Sequence, residues 1–327
     1  MSNPPRPAEA FAPASTKIVI IGAGRVGATF AYTLILRGLV GEIGLVDLDR
    51  KRAEGEAMDL GHSVPLSHPV RVCTGSYSDC GDADIVMIAA GVSQRQGESR
   101  LDLLKRNAAV FEDVIPNVVK ANPNTILLIA TNPVDIMSYV AWTLSGLAPQ
   151  RVIGSGTVLD TARFRYLLSR HLSLDPRNVH AYVLGEHGDS EVAVWSRTTV
   201  GGLPLAEYCR KTGTSLSAEH RSSIERGTRN AAYEIIARKG ATYYAVATAL
   251  LRVSECILLD QRSVLPVSTL VPPEYGLGEL YLSLPSIVGR RGVERTLEVP
   301  LDEAEDRAIH RSAELLGETL VGMGYPH

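Results

Sequence analysis

The sequence predicts an α/β protein in which a doubly wound parallel sheet precedes a mixed α+β domain. Short apolar runs alternate with stretches of helical period in the first half of the chain, and a glycine-rich turn directly follows the first run. The pattern changes near residue 155. We therefore expect a flexible tail over residues 1–16, a first domain over 17–155 and a second domain over 156–327.

Each predicted element has its own apolar or helical pattern. The apolar run at 18–21 predicts a strand, and residues 25–36 predict the helix that follows it. The other predicted elements are strands at 43–46, 85–89 and 126–129, helices over 100–120 and through 163–168, and strands over 179–184 and 192–195. Long helices complete the second domain.

The composition limits the classes of partner. A chain of 327 residues with 45% hydrophobic content is long enough for two domains that each bury a core. The formal net charge of -3 gives no broad basic surface, and no apolar run reaches membrane-spanning length. The four cysteines lack metal-ligand spacing, and the Pro- and Ala-rich leader lacks the apolar stretch of a signal peptide. We expect no nucleic acid, membrane or metal partner, no disulfide framework, and a cytoplasmic location.

A glycine fingerprint, Gly22-Ala23-Gly24-Arg25-Val26-Gly27, directly follows the first strand and opens the first helix. Its first glycine permits a tight turn, its second lets the backbone approach a pyrophosphate, and its third allows close helix packing. Alone it is a weak signal, because glycine-rich turns are often only structural. Asp47 strengthens it, because a carboxylate at the end of the second strand binds adenine ribose hydroxyls and repels the 2′-phosphate of NADP. NAD is therefore the expected cofactor.

Three polar segments are candidates for catalysis. His187 lies in a Gly-Glu-His-Gly-Asp-Ser segment between two strand-like runs, although a lone histidine is usually structural. Asp160 and Arg163 are three residues apart and share one face of a helix, where Asp160 could hold an imidazole and favour its protonated form. The alternative is a salt bridge on a surface helix. The segment 90–100 is interpreted as a mobile lid, or alternatively as an ordinary surface loop.

Seven motifs, in this order along the chain, resemble the L-lactate/L-malate dehydrogenase family, and most closely its bacterial lactate dehydrogenases. The resemblance covers nearly all of residues 17–316. It implies NAD as the cofactor, pyruvate and L-lactate as the substrate pair, and a homotetramer. The motifs are Gly22-to-Gly27, Asp47, residues 94–100, Thr131-Asn132-Pro133, Asp160-to-Arg163, Gly185-to-Ser190 and Lys239-Gly240-Ala241-Thr242.

The resemblance also implies a role for each site residue. His187 would donate the proton to the developing alkoxide, and Asp160 would hold its ring. Arg163 would bind the substrate carboxylate through two donors, and Arg100 would polarise the keto oxygen. Asn132 would assist at the same oxygen, and Thr242 would line the substrate pocket. The residues implied to contact NAD are Gly22, Gly24, Val26, Gly27, Asp47, Gly91, Thr131, Asn132 and Val246.

The lid residue that selects the substrate in this family is Gln94 in this chain. Malate dehydrogenases carry arginine there, and a neutral amide cannot neutralise the second carboxylate of oxaloacetate in a closed pocket. Gln94 therefore favours pyruvate. Malate dehydrogenase stays open as an alternative, because a shift of one residue would turn Arg95 inward. A non-catalytic NAD-binding protein is the remote alternative.

Arg165 and His180 indicate a regulatory site. Arg165 lies two residues beyond Arg163 and projects about 200° away around the helix. The positions of Arg165 and His180 match those at which allosteric bacterial lactate dehydrogenases bind fructose 1,6-bisphosphate across a subunit interface. The alternative is a polar contact between subunits with no effector.

Overall fold

A computed structural model describes residues 16–92, 97 and 99–325, apart from the Arg100 side chain. The elements of the first half are β1 (Lys17–Ile21), α1 (Arg25–Arg37), β2 (Glu42–Val46), α2 (Arg50–Ser63), β3 (Arg71–Thr74), β4 (Ile85–Ile88), α3 (Arg100–Ala121), β5 (Ile126–Ile129), α4 (Val134–Ser145) and β6 (Val152–Gly154). They alternate between strand and helix, as the apolar pattern predicts, except that β4 follows β3 with no α-helix between them.

The described part of the second half combines six helices with five strands of two residues each and three longer strands. Its elements are α5 (Val158–Leu172), β7 (Val179–His180), β8 (Val183–Leu184), β9 (Val192–Ala193), β10 (Thr199–Val200), β11 (Leu203–Pro204), α6 (Leu205–Thr212), α7 (Ala218–Arg229), α8 (Ala231–Lys239), α9 (Tyr244–Leu258), β12 (Ser263–Leu270), β13 (Tyr281–Gly289), β14 (Gly292–Thr296) and α10 (Glu303–Gly322).

The large sheet confirms the predicted fold class. Its strand order is β14-β13-β12-β6-β5-β4-β1-β2-β3, and β1 to β6 are parallel to one another. β12 to β14 continue the same sheet in antiparallel register, with Ser268 opposite Gly154. Strand order reverses between β1 and β4, so the carboxyl ends of these strands open a crevice where a ligand can bind.

The sequence explains why β1 and α1 form where they do. Every residue of β1 is buried, as expected for a parallel strand covered on both faces. α1 begins directly after Gly24 and ends at Gly38, which adopts a left-handed conformation with φ of 62° and closes the last turn. This geometry directs the start of α1 toward the carboxyl edge of the sheet.

The predicted strand over 179–184 is wrong as a single strand. β7 pairs with β10 in one small sheet, whereas β8 pairs with β9 in another. The strand breaks at Ala181, whose carbonyl oxygen accepts a hydrogen bond from Arg165 Nε at 2.9 Å. Alternating apolar residues continue through this break, so periodicity could not reveal that the chain changes sheets. Within the described ranges, no helix is both long and apolar enough to cross a membrane.

Candidate active site and cofactor cleft

The glycine fingerprint forms a tight turn at the carboxyl end of β1. Gly22 has a φ of 106°, its N–H donates to the Val46 carbonyl at 2.7 Å, and a Cβ there would lie 2.7 Å from the Ala90 nitrogen. A Cβ on Gly27 would collide with the Gly22 carbonyl oxygen, whereas one on Gly24 would meet no atom within 4 Å. The turn is therefore packed on the sheet side and open at the helix start, where free N–H groups fit a pyrophosphate.

Asp47 follows β2 and is fixed by two backbone N–H groups. Its Oδ2 accepts from Ala23 at 2.8 Å and its Oδ1 accepts from Asp49 at 2.8 Å. Each oxygen retains a further lone pair, so the half-buried carboxylate fits an adenine ribose diol. Val26 and Val246 are half-buried against one apolar cluster beneath this cleft. All of these residues fit the predicted NAD site.

The ends of β4 and β5 form the other wall of the cleft, and Asn107 joins them. Thr131 Oγ1 donates to the Ala90 carbonyl at 2.7 Å, and a Cβ on Gly91 would lie 2.9 Å from the Thr131 methyl group. The Asn107 side chain accepts from Val92 N–H at 2.8 Å and donates to the Asn132 carbonyl at 3.3 Å. This buried amide therefore holds two loops with predicted site residues in fixed register.

Asp160 brings His187 and Arg163 together. His187 Nδ1 lies 2.5 Å from Asp160 Oδ2, and Arg163 Nη1 donates to Asp160 Oδ1 at 2.7 Å. Asp160 is only 2% exposed, so this arrangement differs from the alternative of a surface salt bridge. His187 Nε2 and Arg163 Nη2 form no hydrogen bond within the described part of the chain. These two groups are free to bind a ligand.

Charge and burial oppose each other at the imidazole. Burial alone would lower the pKa of His187, but the adjacent Asp160 carboxylate outweighs it and raises that pKa to about 9. Burial acts to raise the pKa of Asp160, yet the positive charges of His187 and Arg163 hold it below its ordinary value. The pair is therefore imidazolium and carboxylate at neutral pH, which suits a proton donor.

Sequence reasoning missed two more carboxyl groups close to His187. Asp135 accepts the backbone N–H of His187 at 2.7 Å, and burial raises its pKa to about 6. It is the one charged residue in the apolar run of α4, a signal that the sequence did contain. Burial, reinforced by the negative charge of Asp160, raises the pKa of Glu191 to about 8. Glu191 follows His187 by only four residues, so its proximity was a second signal that the sequence contained.

The remaining predicted substrate residues are only partly placed. Thr242 and Arg163 line the same cavity of about 340 Å³, together with Leu159. α3 begins at Arg100, where the Ser99 side chain accepts from the Asp102 N–H at 3.1 Å. The Arg100 side chain and residues 93–96 and 98 of the predicted lid, Gln94 among them, lie outside the described residues.

The predicted regulatory residues lie where α5 packs against the β7–β8 segment. Arg165 donates to the Ala181 carbonyl, one residue beyond His180, and its guanidinium lies 5.7 Å from the centre of the Tyr182 ring. Burial lowers the pKa of Arg165, while His180 is exposed on β7. The contact between α5 and the β7–β8 segment therefore places Arg165 against the backbone that directly follows His180.

The crevice, the glycine turn, the Asp47 carboxylate and the paired imidazole are together typical of one class of protein, the dinucleotide-dependent oxidoreductases. Two family models match nearly the whole chain. Residues 16–154 match "lactate/malate dehydrogenase, NAD binding domain", and residues 157–321 match "lactate/malate dehydrogenase, alpha/beta C-terminal domain". The chain belongs to the lactate/malate dehydrogenase family and is an NAD-dependent oxidoreductase.

Curated relatives and solved structures agree with this assignment. The chain is 52% identical to the L-lactate dehydrogenase of Thermus aquaticus over 309 residues, which covers 94% of this chain and 100% of the relative. It is 50% identical to that of Acetivibrio thermocellus over 304 residues, which covers 93% and 96%. A lactate dehydrogenase structure from a Medee basin deep-sea metagenome library has a TM-score of 0.92 at 44% identity, covering 95% of this chain and 99% of that one. The minor L-lactate dehydrogenase from Enterococcus mundtii has a TM-score of 0.91 at 41% identity, covering 94% and 98%.

Proposed function

We propose that this enzyme is an L-lactate dehydrogenase that reversibly reduces pyruvate to L-lactate with NADH. The observation that carries the proposal is the buried Asp160 carboxylate, which holds a protonated His187 and a partly free Arg163 side by side. Reduction of a 2-keto acid requires these two functions side by side. One group donates a proton to the keto oxygen, and the other binds the carboxylate.

The bound cofactor supplies the hydride, and the residues of the chain handle the proton and the charges. Arg163 binds the substrate carboxylate through the donors that Asp160 does not use. His187 passes the Nε2 proton to the keto oxygen as negative charge develops there, and takes it back in the reverse reaction. Asp160 stabilises the imidazolium before transfer. Arg100 and Asn132 act at the keto oxygen, and Thr242 lines the pocket.

The choice of pyruvate over oxaloacetate rests on Gln94 and on the names of the relatives. A carboxylate buried without a cationic partner loses about 1.5–3 kcal/mol of charge-assisted hydrogen bonding, which disfavours oxaloacetate. The test is NADH oxidation with each keto acid by the wild type and by Gln94→Arg. We expect the wild type to prefer pyruvate and Gln94→Arg to raise the relative rate with oxaloacetate by orders of magnitude. A wild type that prefers oxaloacetate would favour malate dehydrogenase instead.

We also propose a homotetramer that fructose 1,6-bisphosphate activates. Arg165 and His180, each paired with its symmetry mate, would surround a bisphosphate with four cationic groups. The partial burial of Arg165 supports this, because an anion would stabilise a charge that water only partly solvates. The bisphosphate should lower the apparent KM for pyruvate in the wild type but not in His180→Gln. Identical saturation curves with and without it, at neutral and at acid pH, would remove the proposal.

The domain division and the location complete the proposal. We infer a tail over residues 1–16, a cofactor domain over 17–155, a catalytic domain over 156–327, and a cytoplasmic enzyme. The change of strand direction from β6 to β12 supports a division near residue 155. Limited proteolysis followed by mass spectrometry tests the tail. The first cleavages should occur before residue 17.

A further inference from the structure

The start of α1 and the end of α8 approach each other across the cofactor cleft. Arg25 is the first residue of α1 and directly follows Gly24, whose open side fits the pyrophosphate. Gly240 ends α8 in a left-handed conformation, and a Cβ there would lie 3.8 Å from Arg25 Nη1. A guanidinium from the first half of the chain therefore reaches a helix end in the second half.

The lysine beside that helix end is held in place by two aromatic rings. The Lys239 ammonium lies 3.6 Å from the centre of the Tyr243 ring and 4.1 Å from that of Tyr244. The two ring centroids are 4.5 Å apart in an edge-on arrangement. Cation–π contacts of this kind fix the position of a flexible ammonium group and leave its charge in place.

Neither cation has an acidic partner among the residues that the structure describes. Arg25 and Lys239 are both exposed, and neither forms an ion pair with any described residue. The adjacent Arg238 differs, because it pairs with Glu234 within α8. The pKa of Tyr243 is lowered mainly by Lys239 and more weakly by Arg25, so both positive charges act on the same phenol. Two cations held close together repel each other, and an anion between them would remove that repulsion.

We propose that Arg25 and Lys239 bind the pyrophosphate of the dinucleotide from opposite sides of the cleft. This inference rests on the proposed cofactor site and adds to it two binding residues that the glycine fingerprint does not identify. The backbone N–H groups at the start of α1 face the pyrophosphate from the sheet side, and the two side chains neutralise its two negative charges. Because α8 leads directly into the segment with Thr242, a contact between Lys239 and the pyrophosphate would also couple cofactor binding to the substrate pocket.

The test compares ligands that share some parts of the dinucleotide. NADH binding is measured by nicotinamide fluorescence, and ADP-ribose and adenosine by competition against NADH. The variants are Arg25→Gln, Lys239→Gln and the double variant, and Arg238→Gln is the matched control from the same helix. We expect each single variant to raise the Kd of NADH and of ADP-ribose about tenfold, which is the loss of one charge-assisted contact. The Kd of adenosine and all values for Arg238→Gln should stay at wild-type levels.

Salt provides a second measurement. Because screening weakens interactions between exposed charges, the NADH Kd of the wild type should rise with ionic strength more steeply than that of the double variant. Unchanged Kd values for NADH and ADP-ribose in both single variants would overturn the inference and leave the proposed function intact. Equal weakening of adenosine would also overturn it, because the effect would then lie in the fold. A wild type that binds no NADH would overturn the proposed function itself.

Discussion

Replacing Asp160 with asparagine tests the origin of the proton donor. Asparagine has nearly the same size and keeps an oxygen that can accept a hydrogen bond, so the change removes charge and little else. In the wild type, the Asp160 carboxylate raises the pKa of His187 from 6.5 to about 9 against the effect of burial. Without that charge, burial remains and favours the neutral ring, opposed only by the weaker effect of Asp135.

The magnitude follows from these two values. The difference between 6.5 and about 9 corresponds to roughly 3 kcal/mol in favour of the protonated imidazole, at about 1.4 kcal/mol for each pKa unit. In Asp160→Asn the pKa of His187 should fall to 6.5 or below. At pH 7.5 the protonated fraction then drops from more than about nine-tenths to less than about one-tenth. The rate of pyruvate reduction should fall at least in proportion.

The assay is kcat/KM for pyruvate reduction from pH 5 to pH 10, with NADH binding measured on the same samples. We expect kcat/KM of the wild type to fall as pH rises through about 9. For Asp160→Asn, the same fall with rising pH should already occur at a pH under 7. Asp175→Asn is the control, because Asp175 pairs with Arg177 on the surface of the same half of the chain. A variant profile that still falls near pH 9 would refute the reasoning.

Three further changes test other parts of the site. Asn107→Asp keeps the acceptor for the Val92 N–H but places a carboxylate against the Asn132 carbonyl. We expect NADH binding in fluorescence titrations to weaken more than about tenfold, with an unchanged far-UV circular dichroism spectrum. Arg163→Lys keeps the charge and loses the planar fork, so the KM for pyruvate should rise at least about tenfold while the NADH Kd stays constant. Glu191→Gln removes a carboxyl group whose folded-state pKa of about 8 exceeds its usual 4.5. Because the unfolded chain loses that proton first, wild-type stability should decline as pH rises from 4.5 to 8, and Glu191→Gln should show a higher Tm than the wild type at pH 8 but not at pH 4.5.

The fold was predictable where an element has the same environment along its whole length. β1, β4 and β5 are buried on both faces and are short, continuous apolar runs, so their positions were correct to within one residue. The extension of the sheet by β12 was not predictable, because strand pairing depends on contacts distant in sequence. The break at Ala181 was missed for a similar reason. The Arg165 side chain of α5 donates a hydrogen bond to the Ala181 carbonyl, and the local alternation of apolar residues does not reveal this contact.

The site was predictable where chemistry restricts residue type and spacing. Asp160 and Arg163 share a helix face, and the structure places His187 against them, as expected from a loop at a strand end. Asn107 and Asp135 were missed because each acts through a backbone group of another segment, and a backbone group leaves no signature in the sequence. The isolated charge in α4 was nevertheless a usable signal for Asp135.

The most direct measurement is a crystal structure of the enzyme with NADH and oxamate, an unreactive analogue of pyruvate. We predict that His187 Nε2 lies within about 3.2 Å of the analogue's keto-equivalent oxygen, with the nicotinamide C4 facing the adjacent carbon. Arg163 should contact the analogue's carboxylate through two nitrogens. An imidazole that is remote from both the analogue and C4 would contradict the account.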